Sequence, residues 1–372
     1  MSVLTATLAC NAKADAAWFV SPQVAVQSLH NTNPYLLHRP ERSMTTDRLD
    51  LNLPLMGESE LFDLSLAPQF HFIQTRNRDD LDRNEYSLGA GASRRMSLGD
   101  AGFNSDYISD TTLTSAFLDT GYTGVNKQRT VQSLEPYLNW QWAAKSSLMT
   151  SLKYQKQDYK DAALTPLTGY EYAQANVTLI HEIDDQDVLK CGLDRSKMQS
   201  PRVDSDKTGV QCSVVREIAE PLNGSLTLGQ YRVSSAGVFE TRAQHGALAA
   251  LDLTYQTMNI RYGLRGSRSV EPGGYGLLVR TDQLEVNAAY SINDSVWTRA
   301  SITANRYEMT TSAYALPDRD YAVAQWNVAW QYLPEWIFEV GINNARQRYD
   351  FETSSASSTT LLVQLAYHSQ RY

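Results

Sequence analysis

Between Ala322 and Asn343 the chain alternates with a period of two. Ala322, Ala324, Trp326, Val328, Trp330 and Tyr332 share one parity, and Val323, Gln325, Asn327, Ala329 and Gln331 share the other. Side chains of a strand point alternately to opposite faces, so the segment has an apolar face and a mostly polar one. After Leu333-Pro334-Glu335 the alternation resumes, with Trp336, Phe338, Val340 and Ile342 set against Ile337, Glu339, Gly341 and Asn343. This reads as two strands joined by a tight turn.

The same pattern recurs from Trp18 to the C-terminus. Apolar parities run through Trp18 to Val26, Leu49 to Leu55, Phe62 to Phe70, Tyr86 to Ala92, Leu134 to Trp142, Leu148 to Tyr154, Ala173 to Leu179 and Leu189 to Leu193. They continue through Val210 to Val214, Leu226 and Leu228, Ala247 to Tyr255, Ile260 to Leu264, Leu284 to Tyr290, Val296 to Ile302 and Leu361 to Tyr367, with a weaker strand over 103–112. The series predicts about eighteen strands, in the range 16–18.

Even-numbered connections are short, as at 57–59, 144–146, 184–187, 293–294 and 334–335, whereas odd-numbered ones are longer and more polar. That asymmetry belongs to transmembrane barrels, which have tight turns at one end and loops at the other. The expected fold class is therefore all-β, a transmembrane antiparallel up-and-down β-barrel. No loop exceeds about sixteen residues, which argues against a long constriction loop folded into the lumen.

Composition agrees. The mean hydropathy of −0.40 is too polar for a helical membrane protein, but a barrel strand is only half apolar. The 372 residues include 21 Tyr and 7 Trp, and a formal charge of −8 argues against a nucleic-acid partner. Residues 1–16 read as a signal peptide, with a short apolar run over Val3–Ala9 and an Ala14-Asp15-Ala16 cleavage site, leaving 17–372 as the barrel. A lipoprotein reading at Cys10 fits less well, because Thr7 stands where a larger apolar residue is usual.

A barrel this wide holds water. The opposite parity carries the candidate pore-lining residues: Arg48, Asp50, Asp63, His71, Glu85, Glu135, Lys153, Glu217, Asp252, Arg261, Arg265, Glu285, Arg299 and Glu339. Such charges are costly to bury dry and unpaired, so they suit a hydrated channel. Tyr137, Asn139, Gln141, Tyr172, Gln174, Asn176, Trp297 and Asn305 add aromatic faces and amides that suit sugars.

Catalytic signatures are missing. The 6 His are dispersed, with no zinc spacing, no nucleophile elbow and no phosphate loop, so no enzyme, metal or cofactor is expected. Asp79-Asp80-Leu81-Asp82 and Asp184-Asp185-Gln186-Asp187 lack the Gly and terminal Glu of a calcium loop and read as solvated turns.

Cys191 and Cys212 lie on the apolar parity of consecutive strands, and a hairpin centred near Arg202 sets them opposite each other. That placement allows a disulfide formed on an oxidising export route. The alternative is two lipid-facing thiols acting as small apolar residues.

With Trp18 to Pro22, Asn31-Thr32-Asn33-Pro34, Thr112-Leu113-Thr114-Ser115 and Asp119-Thr120-Gly121, the layout resembles a group of proteobacterial outer-membrane barrels. They are of the β-barrel porin type that includes EpsL-like proteins of exopolysaccharide clusters. The resemblance covers most of the mature chain. It implies export of an exopolysaccharide across the outer membrane, with outer-membrane lipid, the barrel assembly machinery and a periplasmic polysaccharide-export protein as partners. The competing expectations are a general or nutrient-uptake porin passing another hydrophilic solute, and a structural surface barrel with an occluded pore. One departure is terminal: the phase of Leu361 to Tyr367 leaves Tyr372 on the opposite parity.

Overall fold

The computed structural model describes residues 17–39, 43–119, 126–161, 165–237, 241–310 and 318–369. The signal-peptide reading, Cys10 and Tyr372 lie outside them, as do residues 120 and 121 of the resemblance motif.

The chain runs through β1 (Ala17–Val20), β2 (Gln23–Asn31), β3 (Met44–Asn52), β4 (Leu55–Glu58), β5 (Phe62–Thr75), β6 (Arg83–Met96) and β7 (Gly99–Thr111). After α1 (Thr112–Asp119) come β8 (Gln128–Ala143), β9 (Ser146–Tyr159), β10 (Tyr170–Glu182), β11 (Asp187–Gln199), β12 (Val203–Ala219) and β13 (Leu222–Gly237). The last seven are β14 (Thr241–Gln256), β15 (Ile260–Gly273), β16 (Leu277–Asn293), β17 (Val296–Met309), β18 (Arg319–Leu333), β19 (Trp336–Tyr349) and β20 (Ala356–His368).

The segments form an 18-strand closed antiparallel barrel. Two expected strands are each interrupted once. Pro22 separates β1 from β2 and Pro54 separates β3 from β4, because proline has no N–H to give to the ladder. Ser21 N–H donates to Pro54 O across the gap (3.2 Å), so each broken pair still makes one stave. Closure comes from β2 against β20, in register from Gln23↔His368 to Asn31↔Thr360.

Most boundaries follow the alternation, with corrections. The weak strand placed over 103–112 spans Gly99–Thr111 and leads into α1. The loop expected over 200–207 is a three-residue connection, because β12 starts at Val203. The odd-numbered connections at 200–202 and 274–276 are as short as the even ones. Here the strands themselves, up to 17 residues long, exceed the roughly 9–11 that cross a bilayer. They stand above it in place of long loops.

The outer face is apolar: Leu138, Leu152, Leu193, Leu228, Leu284, Ile302, Trp326 and Leu361 are all exposed. Paired aromatics ring the short-turn end, with ring centroids 6.2 Å apart for Trp140–Trp142, 5.3 Å for Trp330–Tyr332 and 5.2 Å for Trp336–Tyr367. Tyr367 thus meets the girdle in phase. Four hairpins shift register just before this end, at Gln141/Ala143, Glu217/Ala219, Ser291/Asn293 and Gln331/Leu333. In the turn before β11, Asp184 accepts the N–H groups of Gln186 and Asp187 (2.8 Å each), and these bonds hold its carboxyl below the usual range. Among the described residues no cluster could hold a metal ion.

Cys191 and Cys212 are directly opposed partners of β11 and β12, with Cα atoms 4.1 Å apart and the sulfurs joined.

Two measurements check this arrangement. Leu138→Arg should cost about 2–4 kcal/mol in reversible unfolding from lipid vesicles, and Asn139→Arg on the inner parity little; equal losses would place the wall wrongly. In non-reduced protein, mass spectrometry should find Cys191 and Cys212 unalkylated, both becoming labelled after reduction.

Candidate functional site

Inner-face residues do not simply line an open tube, because three elements fold onto the inner wall. The largest is the tip of the β15–β16 hairpin. β15 leaves β14 after the pair Ala249↔Arg268, and its end, from Ser269 to Gly273, pairs with β16 alone. The freed tip lies over the inward side chains of β10 to β14. Val270, Tyr275, Leu277 and Leu278 bury themselves there with Tyr172, Met198, Tyr231 and Val233. Three hydrogen bonds fasten the tip: Lys207 Nζ to Val270 O (3.2 Å), Ser200 Oγ to Gly276 O (2.8 Å) and Thr168 N–H to Gly274 O (2.9 Å). Gly276 has φ +69, and a Cβ there would stand 3.0 Å from that of Ser200. A side chain would be strained and crowded at once.

The second element is α1. It starts on the inner side of β6, where the buried carboxylate of Glu85 accepts hydrogen bonds from Thr111 (3.1 Å) and Thr114 (2.6 Å) and pairs with Arg83 (2.9 Å). The third is the loop after β2. Asn33 Nδ2 donates to Leu37 O (2.7 Å) and Ser357 O (2.9 Å), and Leu36 packs into a cluster with Val279, Tyr307 and Tyr321. The lumen is therefore narrowed at its long-loop end from three directions, contrary to the expectation drawn from loop length. The main constriction is made of strand, and strand length was no part of that inference.

The sequence-derived candidates fall on the inward parity, opposite the exposed apolar wall. Glu135, Tyr137, Asn139 and Gln141 of β8 alternate with Leu134, Leu138 and Trp140. Lys153, Gln174, Asn176, Glu217, Asp252, Arg261, Arg265, Glu285, Trp297, Arg299 and Glu339 are likewise inward and keep solvent exposure. Arg48, Asp50 and His71 form one knot: Asp50 Oδ1 lies 2.5 Å from both Arg48 Nε and His71 Nδ1. Asp63 pairs with Arg95 (2.9 Å), and Asp252 with Arg265 (2.9 Å). Glu85, Tyr172 and Asn305 are corrections as open wall, being buried at 3%, 2% and 8% exposure. Tyr172 lies beneath the hairpin tip.

Several of the charges left without an ion pair among the described residues differ in sign between the two sides of the lumen. Asp100, Asp106 and Glu135 on β7 and β8 take part in no ion pair among the described residues, although Asn139 and Ser133 donate to the first two. Half the circumference away, β15 and β17 carry Arg261 and Arg299, which take part in no ion pair among the described residues, the latter over the Trp297 ring at 5.9 Å; Arg265 between them is paired with Asp252. Sequence reading missed Asp100 and Asp106, which sit in the weakly patterned β7. It missed the hairpin tip too, yet Tyr275-Gly276-Leu277-Leu278-Val279 is apolar on both parities. That is the mark of a segment covered on both faces.

No protein-family profile and no curated protein sequence matches the chain. Solved structures do. OccK9 (OpdG) of Pseudomonas aeruginosa aligns with a TM-score of 0.55 at 9% identity, covering 95% of this chain and 99% of that one. OccK2 (OpdF) of the same organism, solved with glucuronate, aligns at 0.53 and 10%, covering 96% and 99%. OccAB2 of Acinetobacter baumannii aligns at 0.52 and 10%, covering 95% and 98%. At such identities the likeness is one of fold. The apolar band, the aromatic girdle and this fold together place the chain in a Gram-negative outer membrane.

If the hairpin tip sets the narrowest section, replacing residues 271–279 with Gly-Gly, a length suited to closing the Val270↔Arg280 pair, should widen the channel. Planar-bilayer recordings should show conductance raised by about twofold or more, with an unchanged barrel band on unheated gels.

Proposed function

We propose that this chain is an uptake channel for small hydrophilic nutrients. The observation that carries this reading is a water-exposed lumen, lined with charged and amide side chains, narrowed by the inward hairpin tip, α1 and the loop after β2. The inward residues named above form the wall of the solute path, apart from Glu85, Tyr172 and Asn305. A lumen narrowed from three sides suits a solute of sugar or organic-acid size better than a polymer strand. Two of the aromatic and amide groups expected to suit a polysaccharide are packed away. The similar solved channels support uptake over export, and nothing in the comparisons supports the EpsL-like label.

Selectivity follows from the two walls. Arg261 and Arg299 face Asp100, Asp106 and Glu135 across the water, so a solute with a carboxylate at one end and hydroxyls along its body aligns in the field between them. OpdK was solved with vanillate and OccK2 with glucuronate, and both ligands are carboxylates. A small carboxylate is the substrate class proposed here.

Liposome swelling tests the reading. Glucuronate should enter faster than a neutral hexose, and Arg261→Glu with Arg299→Glu should abolish that preference and shift the reversal potential toward cations. Equal rates for both solutes would remove the carboxylate specificity. No flux in correctly folded protein would mean an occluded barrel.

A further inference from the structure

On the outer wall, β15 to β19 carry a row that the channel reading does not use. Arg268, Asp282, Arg306, Asp320 and Arg348 are successive partners across the five strands and alternate in sign. All lie on the lipid-facing parity, one step above Leu284, Ala304 and Ala322. Ion pairs tie the row together: Arg268–Asp282 (2.5 Å), Arg306–Glu308 (3.0 Å), Arg348–Asp320 (2.7 Å), and Arg280 with Glu308.

The row sits at a definite height. At about 3.3 Å per residue and a tilt near 40°, the rise from the girdle residue Trp330 to Asp320 is about 25 Å, the height of a barrel's apolar band. The charges therefore meet the headgroups of the outer leaflet. Beneath them lies a groove of about 510 Å³, floored by Leu284, Ala304 and Ala322 and rimmed by Asp282, Arg306, Asp320, Arg346 and Arg348. The floor is low because Ala304 and Ala322 are direct partners. Arg346, paired in register with Ala322, is exposed and takes part in no ion pair among the described residues. Its cation stands over the apolar floor, below a ladder whose other charges are largely matched.

We infer that this groove binds the phosphorylated, multiply acylated glycolipid of the outer leaflet, lipid A. An acyl chain lies along Leu284, Ala304 and Ala322, and a glucosamine phosphate sits between Arg346 and the neighbouring arginines Arg306 and Arg348. The unpaired cation supports this occupant: Arg268, Arg280, Arg306 and Arg348 are matched by Asp282, Glu308 and Asp320, with Asp318 and Asp350 beside them, whereas Arg346 takes part in no ion pair among the described residues. Guanidinium groups bind phosphate through paired hydrogen bonds. A neutral tail would satisfy the floor and leave Arg346 facing hydrocarbon, where an exposed arginine is destabilising.

The test uses the full barrel in detergent, titrated with diphosphoryl hexa-acyl lipid A and read by native mass spectrometry. Wild type should hold one lipid A, and fully dephosphorylated lipid A and phosphatidylglycerol should bind less. Arg346→Glu should weaken lipid A binding at least about fivefold, since each basic residue near a charged headgroup contributes about 1 kcal/mol. Ala322→Trp, which fills the groove and leaves every charge in place, should weaken it comparably, whereas Arg195→Glu on a distant part of the outer wall should leave it unchanged. Unheated-gel mobility checks that each variant is folded. Wild-type affinity in both groove variants, or equal binding of phosphatidylglycerol, would overturn the proposal.

Discussion

Everything in this molecule depends on one requirement: inside a bilayer no backbone N–H or C=O can be left to water. A sheet meets it only by closing. Here closure is the pairing of β2 with β20, nine residues in direct register. The interruptions at Pro22 and Pro54 fall beside the short-turn end, where β1 pairs with β4 alone. Ladder bonds lost there are lost near water, and Ser21 recovers one of them.

Once the wall is closed, strand length becomes a functional variable. Strands of 13 to 17 residues are longer than the bilayer requires, and the surplus can stand upright or bend inward. At β15–β16 it bends, since beyond Arg268 the hairpin exchanges its pairing with β14 for apolar burial on β10 to β14. The exchange is stable because the tip is apolar on both sides, and because Lys207, Ser200 and Thr168 reach its backbone carbonyls. The same arrangement moves Tyr172 from the water to the interior and shapes the lumen.

The two surfaces of the wall use charge differently. Inside, several acids and bases pair within a stave or between neighbouring staves, and charges without an ion pair among the described residues, Asp100, Asp106 and Glu135 on one side and Arg261 and Arg299 on the other, stand on opposite staves. Outside, on β15 to β19, they alternate within one row and largely cancel, and Arg346 is the residue left over. Pairing of neighbours neutralises a surface, whereas separation by the width of a barrel polarises it.

Much of this was legible in the chain itself. Period-two alternation is a local property, and it identified the strands, the lipid-facing face and the inward position of Glu135, Arg261 and Arg299, because parity alone decides which way a strand residue points. The number of strands followed, as did the opposition of Cys191 and Cys212, which depends only on one short hairpin. Parity carries no information about what lies on the inner face, and here local reading stopped. That Tyr172 is covered while Gln174 stays wet, that a hairpin and not a long loop narrows the lumen, and that Asp100 and Arg299 stand on opposite staves all depend on residues far apart in sequence. Only closure of the sheet, which brings distant staves around a common axis, decides these contacts.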